Sequence, residues 1–118
     1  MIPTISEIAI KDVLKIDINN SLDDAIKLMA SSHHRTIIIQ NNKEYKILTT
    51  EHLIDFKLTH IDTNIPLKDL NLPIAKTLDK DLNILNVLNQ INSTSDFMVL
   101  VDKEKNIEGI ISYTDIIN

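Results

Sequence analysis

The apolar positions of this chain change period several times, and each change marks an element. Leu22, Ala25, Ile26 and Met29 stand at i, i+3, i+4 and i+7, the spacing that gathers side chains on one helix face. Ser21 precedes them and Asp23 and Asp24 follow, a hydroxyl cap with two carboxylates in the first turn. The spacing therefore predicts an amphipathic helix over 22–31, ended by Ser31-Ser32-His33-His34. Thr36-Ile37-Ile38-Ile39 is a β-branched run and predicts a buried strand. Gln40-Asn41-Asn42-Lys43 forms a turn, and Tyr45-Lys46-Ile47-Leu48 is the return strand of a hairpin. Lys15-Ile16-Asp17-Ile18 alternates, as a short strand ahead of the helix would. Thr49 caps a second helix carrying Leu53, Ile54 and Phe56. Upstream, Ile5, Ile8, Ile10, Val13 and Leu14 lie among polar residues, the pattern of a short helix and a connector.

The same order then recurs. A polar connector over 59–66 separates residues 1–58, which include the N-terminal segment, from residues 67–118. Ala75-Lys76-Thr77-Leu78 predicts a short strand and Asp81 a cap, and Leu82, Leu85, Leu88 and Ile91 mark one side of a helix. Phe97-Met98-Val99-Leu100-Val101 is the buried strand, and Asp102 to Asn106 form the turn. Ile107-Glu108-Gly109-Ile110-Ile111 returns, and Ser112 starts the last helix. Leu22 aligns with Leu82 and Thr49 with Ser112, so the chain is an internal β-α-β-β-α duplication. Its fold class is α+β with α/β-like character. Neither half is long enough to bury its sheet alone, so a pseudo-twofold pair is expected. About six residues remain for the last helix, where ~11–12 are typical, and a longer helix leading to a further domain is expected.

Composition changes the picture mainly by exclusion. A chain of 118 residues is one domain's worth. Its apolar residues are nearly all Ile, Leu and Val, and aromatics make up 3%, so stacking platforms for bases are few. A net charge of −5 argues against a nucleic-acid backbone or an anionic membrane as partner. Cysteine is absent, which removes disulfides and thiolate chemistry. Met1 to Lys11 does not read as a signal peptide, and no apolar run approaches the ~20 residues of a membrane span. A soluble cytoplasmic protein is expected. His33 and His34 are neighbours that point to opposite sides in an extended segment, and His52 and His60 lack i, i+4 spacing, so no metal site is expected. Nothing sets a nucleophile beside a base, and no catalytic residue is assigned.

The chain's one glycine lies in Gly109-Ile110-Ile111-Ser112-Tyr113-Thr114-Asp115. Ser112 and Asp115 have two readings here, a helix cap and a grip on a ligand hydroxyl. Duplicated β-α-β-β-α units ending in Gly-apolar-apolar-Ser-x-x-Asp resemble a pair of CBS domains, the tandem called a Bateman module. The resemblance runs from about Ile8 to Asn118. It implies a regulatory module that binds AMP, ADP, ATP, S-adenosylmethionine or a related small molecule in clefts between the halves. It further implies homodimerisation and control of a downstream effector, a signalling enzyme or a transporter. Under the same resemblance Ser112 and Asp115 hold ribose hydroxyls, with the backbone of Ile110 near the base. Val13, Leu14, His33, His34 and Arg35 line the facing side, where the histidines and Arg35 meet phosphate.

The departures from the family pattern carry information too. Lys46-Ile47-Leu48-Thr49-Thr50-Glu51-His52 is the matching stretch of the first half. Lysine replaces the glycine, and His52 stands where the aspartate belongs, so the degenerate second site at Thr49 and His52 is expected to be empty or altered. Asp96 and Phe97 stand where nucleotide binders place basic residues, which disfavours a polyphosphate. A ligand-free dimerisation or interdomain scaffold is the alternative, and metal or proton sensing through His33, His34 and His52 a further one.

Overall fold

The computed structural model describes residues 2–88 and 97–117. Two expected positions, Ile91 on a helix face and Asp96 before a strand, lie outside the described residues. By contact the chain divides into two units, Val13–Ile74 and Met1–Asp12 together with Ala75–Asn118.

The Val13–Ile74 unit contains β1 (Leu14–Asp17), α2 (Leu22–Ser32), β2 (Thr36–Asn41), β3 (Glu44–Thr49) and α3 (Thr50–Leu58); a preceding short helix, α1 (Ile5–Ile8), belongs to the other unit. β1 runs parallel to β2, with Ile16 opposite Ile39, and β3 returns antiparallel, with Leu48 opposite Ile37. β-branched side chains favour this pleated surface, and the fully buried Ile37, Ile38 and Ile39 make β2 the central strand. α2 forms where its apolar spacing and its cap agree. Ser21 Oγ accepts from Asp24 N at 3.1 Å, and Asp24 Oδ2 accepts from Ser21 N at 3.1 Å. The helix lays Leu22, Ala25 and Met29 on the sheet and ends at His33.

The connector is less polar than its sequence reads. Ile61 and Ile65 pack against the core, and Ile65 O and Thr63 O accept from Leu22 N and Asp23 N at 2.9 and 2.8 Å. Leu67, Leu70 and Leu72 complete the same core, although the duplication assigns them to the second repeat.

The other unit holds α1, β4 (Thr77–Asp79), α4 (Ile84–Leu88), β5 (Phe97–Val101), β6 (Ile107–Ser112) and α5 (Tyr113–Ile117). Its strand order β4-β5-β6 repeats the parallel and antiparallel pairing of the first sheet. Ile5 is fully buried among Leu78, Val87, Met98, Leu100 and Ile111. Ile5 N donates to Leu82 O at 2.8 Å, and Ile84 N to Pro3 O at 3.2 Å, which ties the N-terminal segment down.

Two expectations fail around α4. Asp81 is not the cap: its N–H donates to Asp79 Oδ1 at 2.8 Å in a turn. Asn83 Oδ1 accepts from Asn86 N at 2.9 Å instead, so the helix starts two residues later. That shift changes the buried face. Counting i+3 from Ile84 reaches Val87, which is buried, whereas Leu85 and Leu88 are 54% and 43% exposed.

Candidate functional site

β6 ends at Ser112 because the residues after it turn into α5. Ser112 Oγ accepts from Asp115 N at 3.2 Å, and Asp115 Oδ2 accepts from Ser112 N at 3.0 Å. This reciprocal cap satisfies two groups at the junction and sets a carboxylate in the first turn, where the helix dipole favours it. Ser112 Oγ also lies 2.9 Å from Thr114 Oγ1. The cap engages one carboxylate oxygen; Oδ1 takes no hydrogen bond from the described residues, and the side chain is exposed. Asp115 can therefore cap its helix and still accept from an outside hydroxyl.

Gly109 stands two positions inside the same strand. Ile10 and Ile110 exchange both backbone hydrogen bonds at 2.9 Å. A Cβ on residue 109 would lie 2.8 Å from the carbonyl oxygen of Ile10, closer than side chains tolerate. The glycine serves the close approach of the N-terminal segment. Ile110, expected near a base through its backbone, is buried and has both backbone groups engaged by Ile10.

The matching helix start in the Val13–Ile74 unit has the same geometry with different atoms. Thr49 Oγ1 accepts from His52 N at 3.2 Å, and His52 Nδ1 accepts from Thr49 N at 3.0 Å. The imidazole stacks on Phe56, with ring centroids 6.3 Å apart and planes 18° from parallel. His52 thus replaces the aspartate as a cap, but its one acceptor nitrogen is already engaged. The spare oxygen that Asp115 offers has no equivalent here.

The remaining expected residues cluster at the same end of that sheet. Leu14 opens β1 opposite Ile37, with Val13 just before it. His33 has φ 59°, the left-handed conformation common at helix ends, so the extended geometry assumed for the histidine pair does not hold. His34 Nδ1 lies 3.0 Å from Ser32 O, and the carbonyl of Arg35 accepts from Thr50 N at 3.0 Å. Arg35 is thereby placed beside the start of α3. No group of three or more potential ligands capable of holding a metal ion occurs among the described residues.

Sequence reasoning missed one feature of this unit. A cavity of about 540 Å³ is lined by Leu22, Ile26, Leu53, Phe56, His60 and Ile61 among others. Its signal was the apolar Ile61 within a stretch read as a polar connector.

The CBS domain family model matches this chain twice, over residues 5–58 and 64–118. The chain belongs to the CBS-domain family. Solved CBS-domain structures share its fold at low identity. A hexameric CBS-CP12 protein from bloom-forming cyanobacteria superposes with a TM-score of 0.80 at 22% identity, covering 99% of this chain and 67% of that one. A CBS domain protein of unknown function from Thermoplasma acidophilum gives 0.74 at 17%, covering 98% and 68%. The CBS domain of a bacterial CNNM/CorC family Mg2+ transporter in complex with ATP gives 0.75 at 12%, covering 97% and 84%. No curated protein sequence matches significantly. Among the described residues, no helix of this CBS-domain pair is long and apolar enough to cross a membrane.

Proposed function

We propose that this CBS-domain pair is a cytoplasmic regulatory module that senses an adenine nucleotide or a related small molecule. CBS-domain pairs are in general regulatory, ligand-binding modules. The observation that carries the proposal is the uncommitted Oδ1 of Asp115, exposed beside a Ser112 hydroxyl at a helix start. An ionised carboxylate accepts from vicinal hydroxyls more strongly than a neutral group does, which suits the diol of a ribose. The solved transporter CBS domain in complex with ATP supports the ligand class. On this reading binding shifts the population of a homodimer that controls an effector domain.

The test is calorimetric titration with AMP, ADP, ATP and S-adenosylmethionine, on the wild type and on Asp115→Asn. The asparagine keeps one oxygen for the cap and loses the charge and the second acceptor. Binding is expected to weaken at least about tenfold, the loss of one charge-assisted hydrogen bond. Saturable binding that Asp115→Asn leaves intact removes the ribose assignment. A second reading, a ligand-free dimerisation or interdomain scaffold, is favoured by the completeness of both caps without a ligand. It predicts a concentration-dependent dimer in sedimentation and no response to any of the four ligands.

A further inference from the structure

Four helix starts among the described residues use one reciprocal geometry and three chemistries. Asp24 and Asp115 close theirs with a carboxylate, Asn86 with an amide, and His52 with an imidazole. Thr49 N is a donor, so Nδ1 of His52 carries no proton and the ring is in its neutral Nε2–H form. A proton arriving at Nδ1 turns the acceptor into a donor facing another donor. It also sets a positive charge in the first turn of α3, against the helix dipole. The new N–H has Thr49 Oγ1 within 3.1 Å, an oxygen that accepts from His52 N and has a second lone pair to offer, but Thr49 N loses its partner whether or not that bond forms.

We propose that His52 makes the start of α3 proton-sensitive: the cap it closes through Nδ1 opens when that nitrogen gains a proton. Imidazole changes charge between about pH 5 and 8, whereas carboxylates do so near pH 4 and amides not at all. The other three helix starts are therefore internal controls. The consequence reaches beyond one hydrogen bond, because Phe56, stacked on His52, and Leu53 in the same turn line the apolar cavity of this unit. The charged and titratable groups on the surrounding elements are Glu51, Asp55 and Lys57 on α3, His60 just after it in the cavity wall, Glu44, Tyr45 and Lys46 on β3, and His33, His34 and Arg35 ahead of β2. Across the cavity, α2 carries Asp23 and Lys27, which pair with each other at 2.8 Å, and Asp24, whose carboxylate caps its own helix. None of these forms an ion pair with His52 among the described residues, so its protonation is not neutralised in place.

The experiment is an NMR titration of the full chain from about pH 7.5 to about pH 5, reading imidazole nitrogens and amide exchange together. At the upper limit His52 is expected as the Nε2–H tautomer. As it titrates, the protection factor of the Thr49 amide should fall about fivefold, the loss of one cap, while the Ser21 and Ser112 amides stay protected. His52→Asp, which restores the carboxylate of the other repeat, should abolish the step and keep the cap. An Nδ1–H tautomer at the upper limit overturns the proposal. So does Thr49 protection that stays flat through the His52 titration, or a step that survives in His52→Asp.

Discussion

The two units share strand order, pairing sense and cap geometry, yet they differ wherever a second segment approaches the sheet. At β6 the N-terminal segment pairs Ile10 with Ile110, one residue beyond Gly109. At β3 the segment after the connector pairs Ile74 with Lys46, the very position that matches the glycine. In a strand, a shift of one residue reverses which side each chain presents. In one register the Cβ at the matched position would collide with a carbonyl, and in the other a lysine fits. The duplication has thus preserved its topology while each copy solved its own edge. The caps show the same division, because a carboxylate with a spare oxygen remains in one copy and an imidazole with none in the other. Equivalence of fold does not carry equivalence of site.

The sharpest way to break this comparison is to remove the side chain each unit takes from outside its own repeat. Ile5 and Leu67 are both fully buried, Ile5 in the unit of β4 to β6 and Leu67 in the unit of β1 to β3. Each truncation to alanine leaves a cavity in a packed core and should cost about 2–5 kcal/mol. Residue-resolved hydrogen exchange should place the loss of Ile5→Ala in Ala75–Asn118 and that of Leu67→Ala in Val13–Ile74. Losses that followed the order of the repeats instead would refute the exchange of segments.

Next in size is the matched pair at the sheet edge. Gly109→Ala forces either the Ile10 carbonyl or the strand to move, and is expected to destabilise by about 1–3 kcal/mol in chemical denaturation. Lys46→Ala removes a half-exposed side chain with no comparable constraint and should stay within about 0.5 kcal/mol. Equal effects at the two positions would mean that the edge registers do not differ as described.

Much of this was legible in the residues themselves. The β-branched runs and the hydroxyls at Ser21, Thr49 and Ser112 announced strands and helix starts, because both signals are local in sequence. α4 was misread because Asp81 and Asn83 are both good caps, and only the contact between Asn83 and Asn86 decides between them. The face error at Leu85 and Leu88 followed from that start. The purpose of Gly109 was hidden because its neighbour, Ile10, is remote in sequence. His52 read as damage because capping boxes are recognised by their carboxylates and amides; that a ring nitrogen occupies the same point in space is a matter of geometry. The cavity was invisible because its walls come from α2, α3 and a stretch taken for a polar connector.

The smallest expected effect separates the two roles of the motif at Ser112. Glycine is nearly as good a cap as serine, so Ser112→Gly should cost only a few tenths of a kcal/mol, against about 1 kcal/mol for Ser112→Ala. Asp115 Oδ2 still accepts from the backbone N–H of residue 112 in the glycine variant, because that bond does not involve the serine side chain. The helix start is then nearly intact while the hydroxyl is gone. If Ser112 does nothing but cap, nucleotide titration of Ser112→Gly will match the wild type. If it meets a ligand, as proposed, affinity should fall severalfold at almost unchanged stability, the loss of one neutral hydrogen bond. Ser112→Thr, which keeps the hydroxyl, should restore binding, and its failure to do so would return Ser112 to a purely structural role.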